Sequence, residues 1–284
     1  MITGAGGQVG SLLAAEAARQ GRDVLALTSA QWDITDPAAA ERIVASGDVV
    51  VNCAAYTNVD GAESDEATAY AVNAAGPGHI ALACARVGAR LIHISTDYVF
   101  SGDFGGSPPR PYEPDDEAKP LSVYGQSKLS GERAVLATLP QATVVRTAWV
   151  YTGGDGNDFV ATMRRLAARD GTVEVVDDQT GSPTYVGDLV VALLQVVDGQ
   201  VHARVVHAAN EGAVTRFEQA RAVFAGVGAD PVRVRPVNSA HNPRPAPRPP
   251  YAALSSRVSA QAGLSPLRAW REALTAALSA VPSV

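Results

Sequence analysis

Tyr124 and Lys128 stand four residues apart in the segment YGQSKLSGE, a spacing that places both on one face of a helix. A free phenol titrates near pH 10 and is a poor proton carrier at neutrality. A lysine ammonium held beside it stabilises the phenolate and brings that value down. The same pair also arises by accident, as two exposed helix residues. Composition weighs against accident, because Lys119 and Lys128 are the two lysines among 23 basic residues and the rest are arginines.

Upstream, LIHISTDYVFSG reads as a buried strand ending in hydroxyls at Ser95 and Thr96. In a parallel α/β sheet the carboxyl ends of the strands form the binding crevice. A hydroxyl placed there can donate to a substrate carbonyl and polarise it. The bland alternative is a Ser/Thr turn that merely ends the strand.

The amino-terminal run MITGAGGQVG spaces Gly4, Gly7 and Gly10 as GxxGxxG ahead of the helical SLLAAEAARQG. Glycines there let the backbone turn sharply and approach a pyrophosphate, and the helix N-terminus offers N–H groups to the phosphates. An alanine- and glycine-rich chain produces such clusters by chance, but the strand DVLAL follows the helix on schedule. An acid usually ends that second strand and binds the adenosine ribose. Here Leu27 is followed by Thr28 and Ser29, and no carboxylate comes before Asp33. Repulsion against a 2′-phosphate is thereby removed, while no arginine selects one. The expected coenzyme is NADPH or NADH, with a lean to NADPH.

The elements that must position these residues alternate through the first half. Residues 23–27, 48–52, 89–95 and 142–149 read as buried strands, and 8–20, 37–45, 65–87 and 125–138 as helices. Gly76-Pro77-Gly78 should break or kink the third helix. Near-continuous apolar strands alternating with helices indicate a parallel sheet covered on both faces. After about residue 151 come helices at 158–169 and 186–197 and strands at 172–178 and 203–209. Thr215 with Glu218 forms a capping box for a helix over 216–226, and Ser265-Pro266 reads as the start of a last helix. The proline-rich PVNSAHNPRPAPRPPY reads as a wall of the binding loop, or else as a partner-binding extended segment. The fold class is α/β: a doubly wound parallel Rossmann sheet with a smaller C-terminal α/β substrate-binding domain. Residues 1–150 form the dinucleotide-binding part, and 151–284 mainly the substrate part, with some segments returning to the sheet.

Composition excludes several classes. With 46% apolar and 18% charged residues, the 284-residue chain is globular in type. A net charge of −6 argues against nucleic acid or an anionic membrane as partner. The longest apolar run, LVVALLQVV, is too short to span a bilayer. Cys53 and Cys84 read as buried reduced thiols, which fits a cytoplasmic protein. His93 reads as a core residue; the other histidines have no ligand spacing, and no metal site is assigned.

These elements, in this order, resemble the extended short-chain dehydrogenase/reductases. VVNCAAYTNVDGAES, HISTDYVFSG, PYEPDDEAKPLSVYGQSKLSGE, RTAWVY and DDQTGSPTYVGDL together resemble the dTDP-4-dehydrorhamnose reductase family over nearly the whole chain. The resemblance implies NAD(P)H-dependent reduction of the 4-keto group of dTDP-4-dehydro-6-deoxy-L-mannose to dTDP-L-rhamnose, a cell-wall and polysaccharide precursor. It implies that Gly4, Gly7, Gln8, Val9 and Gly10 form the pyrophosphate turn, with Thr28, Asp33 and Ile34 towards the adenosine. Cys53, Ala54 and Ala55 would line the cofactor. Thr96 would polarise the keto oxygen and, with Asp97, hold the sugar; Tyr124 would be the acid. Lys128 would bind the nicotinamide ribose, and Trp149 would pack against the sugar ring, unless it is simply a core tryptophan. Arg244 and Arg248 are candidates for the substrate diphosphate, with solvated loop charges as the equal alternative. The expected assembly is a monomer or homodimer.

Two departures stand out: Thr28 replaces the family's acid, and Ala252 stands where RPxxSxL has serine. Two rivals share the scaffold. Epimerases and 4,6-dehydratases are one, but dehydratases follow Ser-Thr with Asp-Glu, and here Asp97 is followed by Tyr98. The other is a non-catalytic NADP-binding regulator like that of methionine adenosyltransferase, which the full Thr96, Tyr124 and Lys128 set disfavours. Finally, Met1–Thr3 is a short lead into the glycine turn, for which a downstream start or trimmed chain is one explanation. It should still pair as a stub of strand.

Overall fold

The structure is a computed structural model that describes residues 1–154 and 156–280. Asp155, in the glycine-rich turn after the fifth strand, and the last four residues of the expected substrate part lie outside the described residues. Six parallel strands form the central sheet: β1 (Ile2–Thr3), β2 (Ala26–Leu27), β3 (Val49–Asn52), β4 (Arg90–Thr96), β5 (Thr143–Thr147) and a sixth, Val205–His207. Across the sheet they run sixth, β5, β4, β3, β1, β2, so the order reverses next to β1. The stub Ile2–Thr3 pairs with both β2 and β3.

Helices cover both faces. In chain order they are α1 (Gln8–Arg19), α2 (Pro37–Ile43), α3 (Val59–Ala62), α4 (Glu66–Tyr70), α5 (Gly76–Val87), α6 (Val123–Thr138), α7 (Phe159–Ala167), α8 (Val186–Val197) and α9 (Arg216–Gly226). Strand side chains alternate between the faces. Val51 and Ile92 join Leu13 of α1 and Leu189 and Leu193 of α8 in one core. Their neighbours Val50 and Leu91 join Ala40, Ile80 and Val135 in the other. Each such buried aliphatic side chain contributes about 1.5–3 kcal/mol, which is why the strands read as continuous apolar runs. A third core gathers Tyr151, Val160, Phe224, Trp270 and Leu274 beneath the C-terminal elements.

Four elements differ from the sequence reading. The second strand was expected over 23–27 but pairs only at Ala26–Leu27, because its sheet neighbour β1 offers two residues. The fifth strand stops at Thr147, since Trp149 has φ +47° and cannot continue it. The helix expected over 65–87 does not break at Gly76-Pro77. A π turn at Ala71–Ala75 precedes Pro77, and this wider turn keeps the chain helical where proline has no N–H to give. Ser265-Pro266 does not start the last helix: Leu267–Ala269 pairs as a strand with Asn210–Glu211, and the helix begins at Trp270. The Thr215–Glu218 capping box forms as expected.

Two local features place the site. Gly4 has φ +62°, and a Cβ there would lie 2.6 Å from the Ala54 nitrogen, so the turn presses directly onto the end of β3. Gly125 lets α6 approach the turn after β4, because a Cβ there would stand 2.3 Å from the Tyr98 carbonyl oxygen. Ser122 caps α6 by accepting the Gly125 N–H at 3.2 Å. Asn73, carried by the π turn, binds both backbone groups of Tyr56 and donates to the Ser127 hydroxyl of α6 at 3.0 Å. It thereby fastens the loop after β3 to the helix that carries Tyr124.

Candidate active site

A cavity of about 550 Å³ opens at the carboxyl ends of β3, β4 and β5. Gly7, Gln8 and Val9 line it from the glycine turn, and Cys53 and Ala55 from the loop after β3. Thr96 and Asp97 enter from β4, Tyr124 and Lys128 from α6, and Trp149 from the segment after β5. Among the residues expected from sequence, these ten come together on one cavity.

The others lie around it. Gly4 and Gly10 underlie the turn, and a Cβ at Gly10 would lie 2.4 Å from the Gly4 oxygen. The Ala54 N–H donates to Asn52 Oδ1 at 3.2 Å. Thr28 donates its hydroxyl to Gln31, and Asp33 accepts from the Thr35 N–H and hydroxyl, which holds its carboxyl below the usual range. Ile34 is core. Arg244 and Arg248 both bind Asp60 of α3. His93 is buried, with its ring nitrogen 3.1 Å from the Asn52 amide.

Electrostatics in the cavity are dominated by burial. Lys128 donates to the Ile94 carbonyl at 2.7 Å; burial pulls its ammonium down to about 8 while Glu132, one turn on, opposes that. Burial raises the Tyr124 phenol above its ordinary value, against the hydrogen bond it shares with Thr96. The sequence reading expected a lowered phenol. Within the protein alone Lys128 is not the governing charge on it, because the ammonium is aimed at Ile94. Tyr124 therefore stands protonated, the form that gives a proton away. The Cys53 thiol is pushed up to about 12 by burial and stays neutral.

Asp97 is 2% exposed, and burial raises its carboxyl to about 7. Its Oδ1 accepts from Thr96 Oγ1 at 3.0 Å, and its Oδ2 has no partner. Ser95 Oγ and Thr147 Oγ1, also on the cavity, are buried without partners too. Buried polar atoms left open together on one wall are what a polar ligand satisfies. Trp149 is the one non-glycine residue with positive φ among the described residues, and its indole covers Gly181. Strain of that kind persists where the surroundings fix it and gathers at functional sites.

The Asp97 environment yields a stability prediction. Its folded pKa lies above the unfolded value of about 4, so the stability it contributes is full below that pH and is lost as pH rises through about 7. Asp97→Asn is expected to stabilise the protein by roughly 1–3 kcal/mol near pH 8 and hardly at all near pH 4. Urea melts at the two pH values measure this; an equal effect at both would contradict it.

The sequence reading missed Arg216, which lines the same cavity from the first turn of α9. Its guanidinium carbon lies 3.5 Å from the centre of the Trp149 ring, and burial draws it down to about 10, still a cation at neutral pH. The capping box located the start of α9, but not the direction in which the next side chain points. Thr147 could have been found, since it ends β5 as Thr96 ends β4.

Comparison with known proteins gives the family. The profile of the family described as RmlD substrate binding domain matches residues 1–282. A dTDP-4-dehydrorhamnose reductase of Mycobacterium tuberculosis is 73% identical over 280 residues, covering 99% of this chain and 92% of the relative. The chain belongs to the dTDP-4-dehydrorhamnose reductase family. A crystal structure of such a reductase from Clostridium acetobutylicum superposes with a TM-score of 0.91 at 37% identity, covering 98% of each chain. One from Bacillus anthracis, solved in complex with NADP, gives 0.91 at 35% identity with the same coverage. Rossmann-type dehydratases and epimerases share the fold at 18–20% identity.

The dTDP-4-dehydrorhamnose reductase family works with NAD(P)H, and the residues present fit such a group. Gly4 and Gly10 let the turn close tightly with Gly7 and the start of α1 on the cavity, Lys128 is buried on its lining, and open hydroxyls face it. Among the described residues no helix is long and apolar enough to cross a membrane.

Proposed function

We infer that this chain reduces the 4-keto group of dTDP-4-dehydro-6-deoxy-L-mannose to give dTDP-L-rhamnose, using NADPH or NADH. The observation that carries the reading is the convergence of Thr96, Tyr124 and Lys128 on one cavity against the glycine turn. Gly7, Gln8, Val9 and the N-terminus of α1 would hold the cofactor's pyrophosphate, and Lys128 its nicotinamide ribose. When bound, the nicotinamide supplies the reducing equivalent to C4.

The chain's own residues do the rest. Tyr124, protonated because burial raises its phenol, gives its proton to the oxygen developing at C4. Thr96, whose single hydroxyl hydrogen goes to Asp97 Oδ1 within the protein alone, would turn it to that oxygen to stabilise the developing charge. The Lys128 ammonium, which donates to Ile94 O, would add a positive charge to the cavity on which the phenolate is left. Asp97 and Trp149, on the same cavity, would hold the sugar. Cytoplasmic location, and a monomer or homodimer, complete the reading.

The test mixes purified protein with dTDP-4-dehydro-6-deoxy-L-mannose and follows the loss of NADPH or NADH absorbance. Turnover with at least one coenzyme is expected. Folded protein that oxidises neither would overturn the assignment and favour a non-catalytic role.

A further inference from the structure

Arg216 lines the main cavity while Arg244 and Arg248 line another, of about 390 Å³, and the three differ in their partners. Arg248 places Nη1 2.5 Å from Asp60 Oδ1 and Nη2 3.0 Å from Oδ2. Arg244 Nε lies 3.0 Å from Oδ2, its Nη2 binds the same oxygen, and the Ala246 N–H donates to Oδ1 at 3.2 Å. Asp60, surrounded by these donors, is held well below the usual carboxylate range. The two arginines therefore strap the proline-rich loop to α3. They share that one carboxylate, which fixes both side chains in place and leaves the cluster one net positive charge.

Arg216 makes no direct ion pair among the described residues, and the acid that acts on it is Asp97 across the cavity. Arg216 Nη1 donates to the neutral Gln219 amide at 3.1 Å, and no carboxylate lies within ion-pair reach of it among the described residues. The guanidinium carbon is 3.5 Å from the Trp149 ring centre and 4.8 Å from that of Phe159. Aromatic contacts of this kind occupy the flat face of a guanidinium and leave its in-plane N–H groups free. Arg216 lines the main cavity and also an adjoining one of about 430 Å³, which runs past Gln8, Thr57 and Trp149 to Asn157. Arg216 is thus a half-buried cation with a fixed plane and no direct ion pair among the described residues. Asp97 acts on it only across the main cavity, and Asp158 lines the adjoining one. It has in-plane donors to offer an anionic ligand, and phosphate oxygens accept in that plane.

We propose that Arg216 takes the diphosphate of the nucleotide-sugar substrate, with Arg244 and Arg248 serving as a strap rather than as the diphosphate site. The proposal rests on the reductase reading for the identity of the ligand. A diphosphate could come from the sugar nucleotide or from the coenzyme. The glycine turn and the start of α1 already offer backbone N–H groups to the coenzyme's pyrophosphate on the same cavities, which is why the test includes NADPH. Arg216 covers one face of the Trp149 indole while Gly181 lies against the ring, so a sugar would meet the open ring edge, beside the in-plane N–H groups of the guanidinium.

The experiment compares native protein, Arg216→Gln and Arg216→Lys in calorimetric titrations with dTDP, thymidine and NADPH, and in steady-state assays. For Arg216→Gln, dTDP affinity is expected to fall at least about tenfold, the loss of a hydrogen bond to a charged group. Thymidine and NADPH affinities should hold, which also certifies the fold. KM for the nucleotide sugar should rise far more than kcat falls, and Arg216→Lys should recover part of the dTDP affinity. Unchanged dTDP affinity would overturn the proposal, as would equal losses for dTDP and thymidine. A loss confined to NADPH would assign the arginine to the coenzyme and overturn it too. If Arg216-dependent dTDP binding is found in a protein that oxidises neither coenzyme, the diphosphate site stands while the reductase reading falls.

Discussion

Tyr124→Phe is expected to bind NADPH as tightly as the native chain while kcat falls by about 10²–10⁴-fold, the usual worth of a positioned general acid. The substitution removes one oxygen and keeps the ring. Tyr124 is 9% exposed and meets Tyr98 edge-on with ring centres 5.5 Å apart, a packing that phenylalanine preserves. What disappears is the proton that the keto oxygen must receive. Burial keeps the phenol neutral across the physiological range, so the loss should be nearly the same at every pH from about 6 to 9. Single-turnover oxidation of bound NADPH at saturating nucleotide sugar isolates this step from binding. Retained fast turnover, or a rise in KM with kcat intact, would remove Tyr124 from the proton-donor role and turn attention to Asp97, the other buried acid on the cavity.

The sheet was legible because its strands bury both faces, as Val50 against Ala40 and Val51 against Leu13 illustrate. Helix starts carried by side-chain caps were equally legible, and Thr215 with Glu218 forms as written. The convergence of Thr96, Tyr124 and Lys128 was legible for a related reason. Strand ends and helix faces are local properties, and a parallel sheet fixes where those ends gather. The rest depends on partners distant in sequence. The π turn at Ala71–Ala75 satisfies Tyr56 and Ser127 through Asn73, which no window around Gly76-Pro77 contains. Arg244 and Arg248 look like free cations until Asp60, more than 180 residues earlier, takes both. Arg216 looks like an ordinary first-turn arginine until Trp149 and Phe159 flank it. Charge is visible in a sequence; whether it is neutralised is not.

That distinction sets the last prediction, for Glu132, which continues the helix face of Tyr124 and Lys128 by one more turn. Arg146 of β5 grips its carboxylate with two parallel bonds of 2.9 and 2.7 Å and donates a third, of 3.1 Å, to the Pro114 carbonyl. The two side chains are 6% and 3% exposed. A buried ion pair contributes little relative to well-packed apolar residues, but breaking it strands a charge without water or partner. Glu132→Gln is therefore expected to cost about 3–5 kcal/mol in urea melts, whereas the double replacement Glu132→Leu with Arg146→Met should recover most of that loss. The pair also acts on the site. Glu132 opposes the fall of the Lys128 pKa, so without it the ammonium loses its proton at a lower pH than about 8. The alkaline limb of NADPH affinity should then move acidward in both variants, including the stable double one. A single-variant loss below about 1 kcal/mol would show that water reaches Arg146. An unmoved limb in the stable double variant would show that Ile94 O alone sets the lysine's charge.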